Sequence, residues 1–220
     1  MQSSPIWLFD LDNTLHHADA GIFYLINRAM TTYIMDKLAI SHDEANHLRQ
    51  DYWHRYGATL AGLQKHHPEI DILDFLRASH PMPPILAKLV PEQHVAPTLH
   101  ALAGQKIVFS NAPSFYVHAL IEAMQLTPYF TALLGTDNLG LHYKPAPAAY
   151  LNLCQQHQLP AHQCIMVDDS AANLHTAKQL GMTTIWYGTH AHELPFIDAI
   201  APNMPALLHW ANTKGYTQSQ

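Results

Sequence analysis

Apolar residues in this chain come in short unbroken runs, separated by stretches with helical spacing. The runs are "IWLFDLDNTL" (6–15), "KIVFSNA" (106–112), "CIMVDDS" (164–170) and "TTIWYG" (183–188), with a weaker one in "TALLG" (131–135). Such runs predict strands covered on both faces, as in a parallel sheet. Between them, Val117, Leu120, Ile121 and Met124 mark a helix over 115–124. In "SAANLHTAKQLG", Leu174, Ala177 and Leu180 form an apolar stripe, Ser170 is the expected N-cap and Gly181 the stop. Strands alternating with helices predict an α/β fold with a doubly wound parallel-sheet, Rossmann-like core.

Residues 16–92 break the alternation. Ile22, Leu25, Ile26, Ala29, Tyr33 and Ile34 form a helical stripe, two or three further helical segments follow, and no strand-like run interrupts them. The expected organisation is a core of 1–15 plus 93–220, with an all-helical insertion over 16–92 that ends in the proline-rich "HPMPPILAKLVPEQ".

Composition narrows the function classes. With 48% hydrophobic and 13% charged residues over 220 positions, the chain is globular. A net charge of −6 disfavours a nucleic-acid polymer as partner, and it would repel an anionic substrate unless a cation or local donors intervene. Two cysteines, Cys154 and Cys164, make neither a disulfide framework nor a zinc set. No basic leader precedes a long apolar segment and no run has the length of a membrane span, so the expected compartment is the cytoplasm and no membrane partner is expected. The 18 histidines are scattered, and the adjacent pairs 16–17 and 66–67 are about as many as chance provides.

Candidate chemistry sits at the strand ends. Ligands of open α/β sheets bind beyond the carboxyl ends of the strands, where Asp10, Ser110, Asp168 and Asp169 all fall. With Asp12, this gathers carboxylates in one small region. At a separation of about 4 Å and an effective dielectric near 20, each like-charge pair costs about 4 kcal/mol. Such a cluster holds protons or a dication, and oxygen-only ligands suit Mg²⁺ beside a phosphate. One Asp-x-Asp pair alone is equally well a strand terminator; a second pair at another strand end is harder to explain as turn chemistry.

"FDLDNTL" resembles the first motif of the haloacid dehalogenase superfamily, hydrophobic residues followed by Asp-x-Asp-x-Thr. Ser110 in "IVFSNA", Lys144 in "YKPAPAAY" and "IMVDDSAANL" resemble the second, third and fourth motifs, in order. The resemblance covers residues 6 to about 188, including a helical cap between motifs one and two. "DLDNTL…GIF…M…Y", "YGATLAGL" (56–63), "SNA" and "VDDSAANL" are most similar to the pyrimidine 5′-nucleotidase branch.

The resemblance implies a phosphomonoester hydrolase. Asp10 would be the nucleophile that forms an aspartyl-phosphate. Asp12 would protonate the leaving alkoxide and then activate water, and its backbone carbonyl would bind the metal. Ser110 and the Asn111 amide would bind the phosphate, with Lys144 supplying positive charge. Pro145 is expected to start a helix whose N-terminus faces the same region. Mg²⁺ would be held by Asp10, the Asp12 carbonyl and Asp169, with Asp168 one shell further out. Asp12 separates phosphatases from the family's carbon–halogen dehalogenases, which need no proton donor because halide departs without one.

The implied partner is a small phosphate ester, UMP or CMP if the branch resemblance holds. Tyr52, Tyr56, Thr59 and Gly62, with His16 and His17 at the start of the insertion, are the candidate contacts to it. Two alternatives stay open: a phosphatase or phosphomutase for another small ester such as a sugar phosphate or phosphoglycolate, and a noncatalytic binding module on the same fold.

Overall fold

Ile6, Trp7, Leu8 and Phe9 are all buried, and their backbone pairs on both edges. In this computed structural model, which describes residues 4–189 and 194–218, they form the first strand of a parallel sheet. The strands are β1 (Ile6–Phe9), β2 (Gln105–Phe109), β3 (Ala132–Leu134), β4 (Cys164–Asp168), β5 (Thr183–Tyr187) and β6 (Ala199–Ala201). Their spatial order is β3-β2-β1-β4-β5-β6. The chain therefore leaves β1 in one direction for β2 and β3, and in the other for β4 to β6. The crevice above the β1/β4 boundary is the switch point where such folds bind ligands. Register sets its walls: Phe9 pairs with Val108 on one side and Val167 on the other, so Asp10 and Asp168 emerge at one level and Ser110 one residue further along, at the end of β2.

Two units divide the chain, residues 1–17 with 90–220 and residues 18–89. The bounds follow backbone pairing: the His17 amide donates to Val90 (2.9 Å) and the Glu92 amide to Leu15 (3.0 Å). Those bonds hold 16–17 and 90–92 with the sheet, whereas the sequence reading put the bounds after 15 and 92.

The helical unit contains α1 (Ile22–Leu38), α2 (His42–Tyr56), α3 (Thr59–His66), α4 (Ile72–Ser79) and α5 (Met82–Leu86). Ile22, Ile26, Tyr33 and Ile34 of the expected stripe are buried. Ser41 and Glu44 close a reciprocal capping box at the start of α2, and Asp71 caps α4 through the Leu73 and Asp74 amides. Helix α5 lies inside the proline-rich stretch, because a proline in the first turn lacks only an amide that has no intrahelical partner there.

In the sheet-bearing unit, helices α6 (Val95–Ala101), α7 (Ser114–Ala123), α8 (Pro147–Gln156), α9 (Ala171–Gln179) and α10 (Met204–Thr213) flank the strands. The apolar core runs from Leu8, Phe109 and Met166 on the sheet to Tyr150, Leu153 and Leu174 on α8 and α9. Three local expectations change. Helix α8 starts at Pro147, not Pro145. Ser170 precedes α9, but its hydroxyl makes no capping bond; the Asp168 carboxylate accepts the Ser170 amide instead (2.8 Å). Strand β6 was not foreseen, since it is three residues long with Ile200 exposed, too short to show a pattern. Gly181 ends α9 as expected, with φ +85°, a conformation that favours glycine.

Candidate active site

Asp10 follows the last residue of β1, and its amide still bonds across the sheet to Val167 (2.9 Å). That bond fixes the Asp10 backbone at the rigid end of a central strand. The next residues turn sharply. Asn13 takes φ +58°, which asparagine tolerates, and the Leu15 amide returns to the Leu11 carbonyl (2.9 Å). The chain therefore bends immediately after the strand.

Lys144 is 1% exposed, and its Nζ lies 2.7 Å from Asp10 Oδ1 and 2.8 Å from Asp168 Oδ2. A surface lysine would be solvated; this one is a buried bridge between the ends of β1 and β4. Burial would depress its basicity, but the pull of Asp10 and Asp168 outweighs it and holds the ammonium above the ordinary lysine range. Asn111 fixes the Lys144 backbone from both sides. Its side-chain amide donates to the Lys144 carbonyl (2.8 Å), and its Oδ1 accepts the Lys144 amide (2.7 Å). Thr136 in turn donates to the Asn111 carbonyl (3.0 Å).

Asp168 is fully buried and saturated. It accepts from Lys144, from the Ser170 amide and twice from Asn173 Nδ2 (2.9 and 3.0 Å). Asp169 is only partly buried. Burial first and Asp168 second push its carboxyl up to about 6, against the pull of Lys144. Asp10 is also raised well above the carboxylate range, by burial and by Asp168, Asp169 and Asp12, which together overcome Lys144. Oxygens of Asp10, Asp168 and Asp169 lie within 4.8 Å of one another. One lysine against three carboxylates leaves uncompensated negative charge, and an all-oxygen donor set of this kind fits a hard divalent cation.

The Asp12 carboxyl stands apart from that trio. Its Oδ1 accepts a hydrogen bond from the Tyr116 hydroxyl (2.5 Å), and His16 Nε2 lies 3.0 Å from the same oxygen. Burial, then the charge of Asp12, holds the Tyr116 phenol well above its ordinary range, so it stays a donor. Ser110 is 1% exposed at the end of β2, and its hydroxyl accepts the Ala112 amide (3.1 Å).

The expected contacts from the insertion have partners of their own. Tyr52 is buried and its hydroxyl pairs with His67 Nε2 (2.8 Å); Tyr56 pairs with His66 Nε2 (2.6 Å); Thr59 donates to the Arg49 carbonyl (3.1 Å). Gly62 lies so close to Tyr52 that a Cβ would come 2.0 Å from its ring. His17 is half exposed and pairs with Glu92 (3.1 Å) within the sheet-bearing unit.

Tyr116 and Asn173 were not singled out from sequence. Asn173 lies inside the "VDDSAANL" stretch, and Tyr116 adjoins an apolar helical stripe. A buried tyrosine needs a partner for its hydroxyl, which is the one signal that could have found it.

A family model described as a haloacid dehalogenase-like hydrolase matches residues 6–181. The chain belongs to the haloacid dehalogenase-like hydrolase family. It is 22% identical over 195 residues to Phosphate metabolism protein 8 of Saccharomyces cerevisiae, an alignment covering 80% of this chain and 59% of that protein. It is 31% identical over 112 residues to Phosphoglycolate phosphatase of Pseudomonas fluorescens, covering 50% of this chain and 39% of that one. The chain thus spans between about two fifths and three fifths of the length of these relatives. The fold is also that of a haloacid dehalogenase family phosphatase from Thermococcus onnurineus, with TM-score 0.68 at 19% identity over 98% of this chain and 100% of that one. Asp10, Asp12, Ser110, Lys144, Asp168 and Asp169 all lie within the matched residues. No helix among the described residues is long and apolar enough to cross a membrane.

Proposed function

We propose that this hydrolase cleaves phosphate monoesters through an aspartyl-phosphate on Asp10. The observation that carries the reading is the Asp10–Lys144–Asp168 bridge beside Asp169, with a separately held Asp12 next to it. Mg²⁺ fits the oxygen set: Asp10, Asp169 and the Asp12 carbonyl would hold it, with Asp168 behind them because its oxygens are already taken by Lys144 and Asn173. When bound, it would neutralise charge on the carboxylates and on the phosphoryl group.

Asp10 attacks phosphorus, forming an Oδ–P bond as the ester P–O bond breaks. Asp12 gives its proton to the leaving alkoxide. The Asp12 carboxylate then takes a proton from water as the water oxygen bonds to phosphorus and the Oδ–P bond breaks, which restores Asp10. Ser110 donates to a phosphoryl oxygen, and Lys144 offsets repulsion between Asp10 and the phosphate. An acid at position 12 fits an alkoxide leaving group and has no use with a halide.

The proposed substrate is a pyrimidine nucleoside 5′-monophosphate, on the strength of the "YGATLAGL" and "VDDSAANL" stretches. The similarity to phosphoglycolate phosphatases supports a second reading, a short phosphorylated carboxylate. Phosphate release from UMP, CMP, AMP, phosphoglycolate and a sugar phosphate, with Mg²⁺ and with EDTA, separates these. Preference for UMP and CMP supports the first reading and preference for phosphoglycolate the second. No release from any substrate with Mg²⁺ means a binding module.

A further inference from the structure

Asp12 has to change protonation state twice in each cycle, and a carboxyl with free rotation would do so from either oxygen. In this structure its two oxygens are not equivalent. Oδ1 takes the Tyr116 hydroxyl at 2.5 Å and lies 3.0 Å from His16 Nε2, whereas Oδ2 accepts no hydrogen bond from the described residues. Tyr116 and His16 are both fully buried. Their rings lie 6.4 Å apart between centroids, and the ring nitrogens of His16 have no aligned hydrogen-bond partner among the described residues. Both rings are thus committed to the wall behind Asp12, with no contact to water.

The Tyr116 donor comes from rigid structure. Tyr116 lies in the first turn of α7, which follows β2 and Ser110, and its amide returns to the Pro113 carbonyl (3.0 Å). Pro113 presets the backbone angle at the helix start. The same turn is tied by Ser114, whose amide and hydroxyl both donate to Asp137 (2.7 and 2.5 Å). The loop that carries Ser110 is therefore continuous with the helix that carries Tyr116.

We propose that Tyr116 is a positioning residue for proton transfer: by holding Asp12 Oδ1, it assigns the moving proton to Oδ2. A carbonyl-type Oδ1 can accept the Tyr116 hydrogen bond whether or not Oδ2 carries a proton, so the same geometry serves both half-reactions. In the first, the proton leaves Oδ2 for the leaving-group oxygen as the P–O ester bond breaks. In the second, Oδ2 takes a proton from the attacking water. His16 packs behind the same oxygen and restricts rotation of the carboxyl. The inference rests on the phosphomonoesterase reading above.

The test is the leaving-group dependence of kcat/KM, which covers steps up to and including phosphoryl transfer to Asp10. A p-nitrophenolate leaving group departs with little need of a proton, whereas an alkoxide needs one. Tyr116→Phe, which removes only the hydroxyl, is expected to lower kcat/KM for an alkyl phosphate about tenfold more than for p-nitrophenyl phosphate, since correctly placed acid catalysis supplies about 10²–10⁴-fold. The ratio of the two substrates cancels any loss of folded enzyme. Asp12→Asn marks the upper limit of the shift, and Tyr116→His, which keeps a ring donor, is expected to fall between Tyr116→Phe and the wild type. An equal fall for both substrates, or no fall, overturns the assignment while leaving the phosphatase reading intact. A wild-type enzyme that releases phosphate from neither substrate overturns both.

Discussion

Asn111 and Lys144 exchange two hydrogen bonds across 33 residues of sequence, each joining the Asn111 side chain to the Lys144 backbone (2.7 and 2.8 Å). The pair sets where the lysine stem begins, and Phe109 beneath it sets where the stem runs, with Nζ 5.0 Å from the ring centroid. A long flexible side chain is thereby held as a fixed charge between two carboxylates. Asn111→Ala leaves a partly buried amide and carbonyl unpaired, a loss of about 1–3 kcal/mol. The expected result is a lower unfolding midpoint and at least a tenfold fall in kcat/KM, since small displacements of a positioning group cost about 10²-fold. Denaturant titration and steady-state kinetics on the same preparation check both.

Lys144→Met removes the only positive charge that stands against Asp10 and Asp168 among the described residues. Breaking a buried pair from one side costs about 3–5 kcal/mol, because the remaining charge has no partner. The loss is expected to be largest at neutral pH and smaller in acid, where the freed carboxylates take up protons. Thermal melts across pH without metal measure it.

These ion pairs also show what could be read from the sequence and what could not. An aspartate at the end of an apolar run stands out from its neighbours, so Asp10, Asp12, Asp168 and Asp169 were legible, as was the parallel α/β core around them. Lys144 was legible only through its resemblance to a motif. The braces were not legible. Asn173, Tyr116 and the Asn111 side chain are polar groups on ordinary helix and loop positions, and their partners are chosen by tertiary packing; Tyr116 is 104 residues from Asp12. Strand β6 and helix α5 escaped for a simpler reason, since elements this short carry no period.

Asp169 gives a signed pH effect. Its folded carboxyl titrates near 6 against an ordinary value of 3.8, so the folded state binds the proton more tightly than the unfolded chain does. The group is neutral for stability below about pH 4 and costs stability as pH rises through 4 to 6, reaching at most about 3 kcal/mol above that window. Asp169→Asn removes this cost. In EDTA the variant is expected to match wild-type stability near pH 4 and to exceed it by about 1–3 kcal/mol at pH 7. Denaturation curves for the two proteins at matched pH give the difference directly; a constant offset contradicts the assignment.

Gly62→Ala puts a methyl group where the Tyr52 ring stands, 2.0 Å from its Cγ. Overpacking of this kind costs about 1–3 kcal/mol. The strain falls on the contact between α2 and α3 and on the Tyr52–His67 hydrogen bond. Faster hydrogen exchange is expected over 42–67, with exchange at β1 and β4 unchanged.

Covalent catalysis by Asp10 is the central claim, and trapping the intermediate tests it most directly. Enzyme mixed with a ³²P-labelled phosphate ester and Mg²⁺, then quenched in acid during turnover, is expected to carry label on the peptide containing "IWLFDLDNTL". Hydroxylamine should release that label, as it does from acyl phosphates, and Asp10→Asn should abolish it together with turnover. Steady phosphate release with no acid-trapped label, with label on another residue, or with turnover retained in Asp10→Asn would contradict the account.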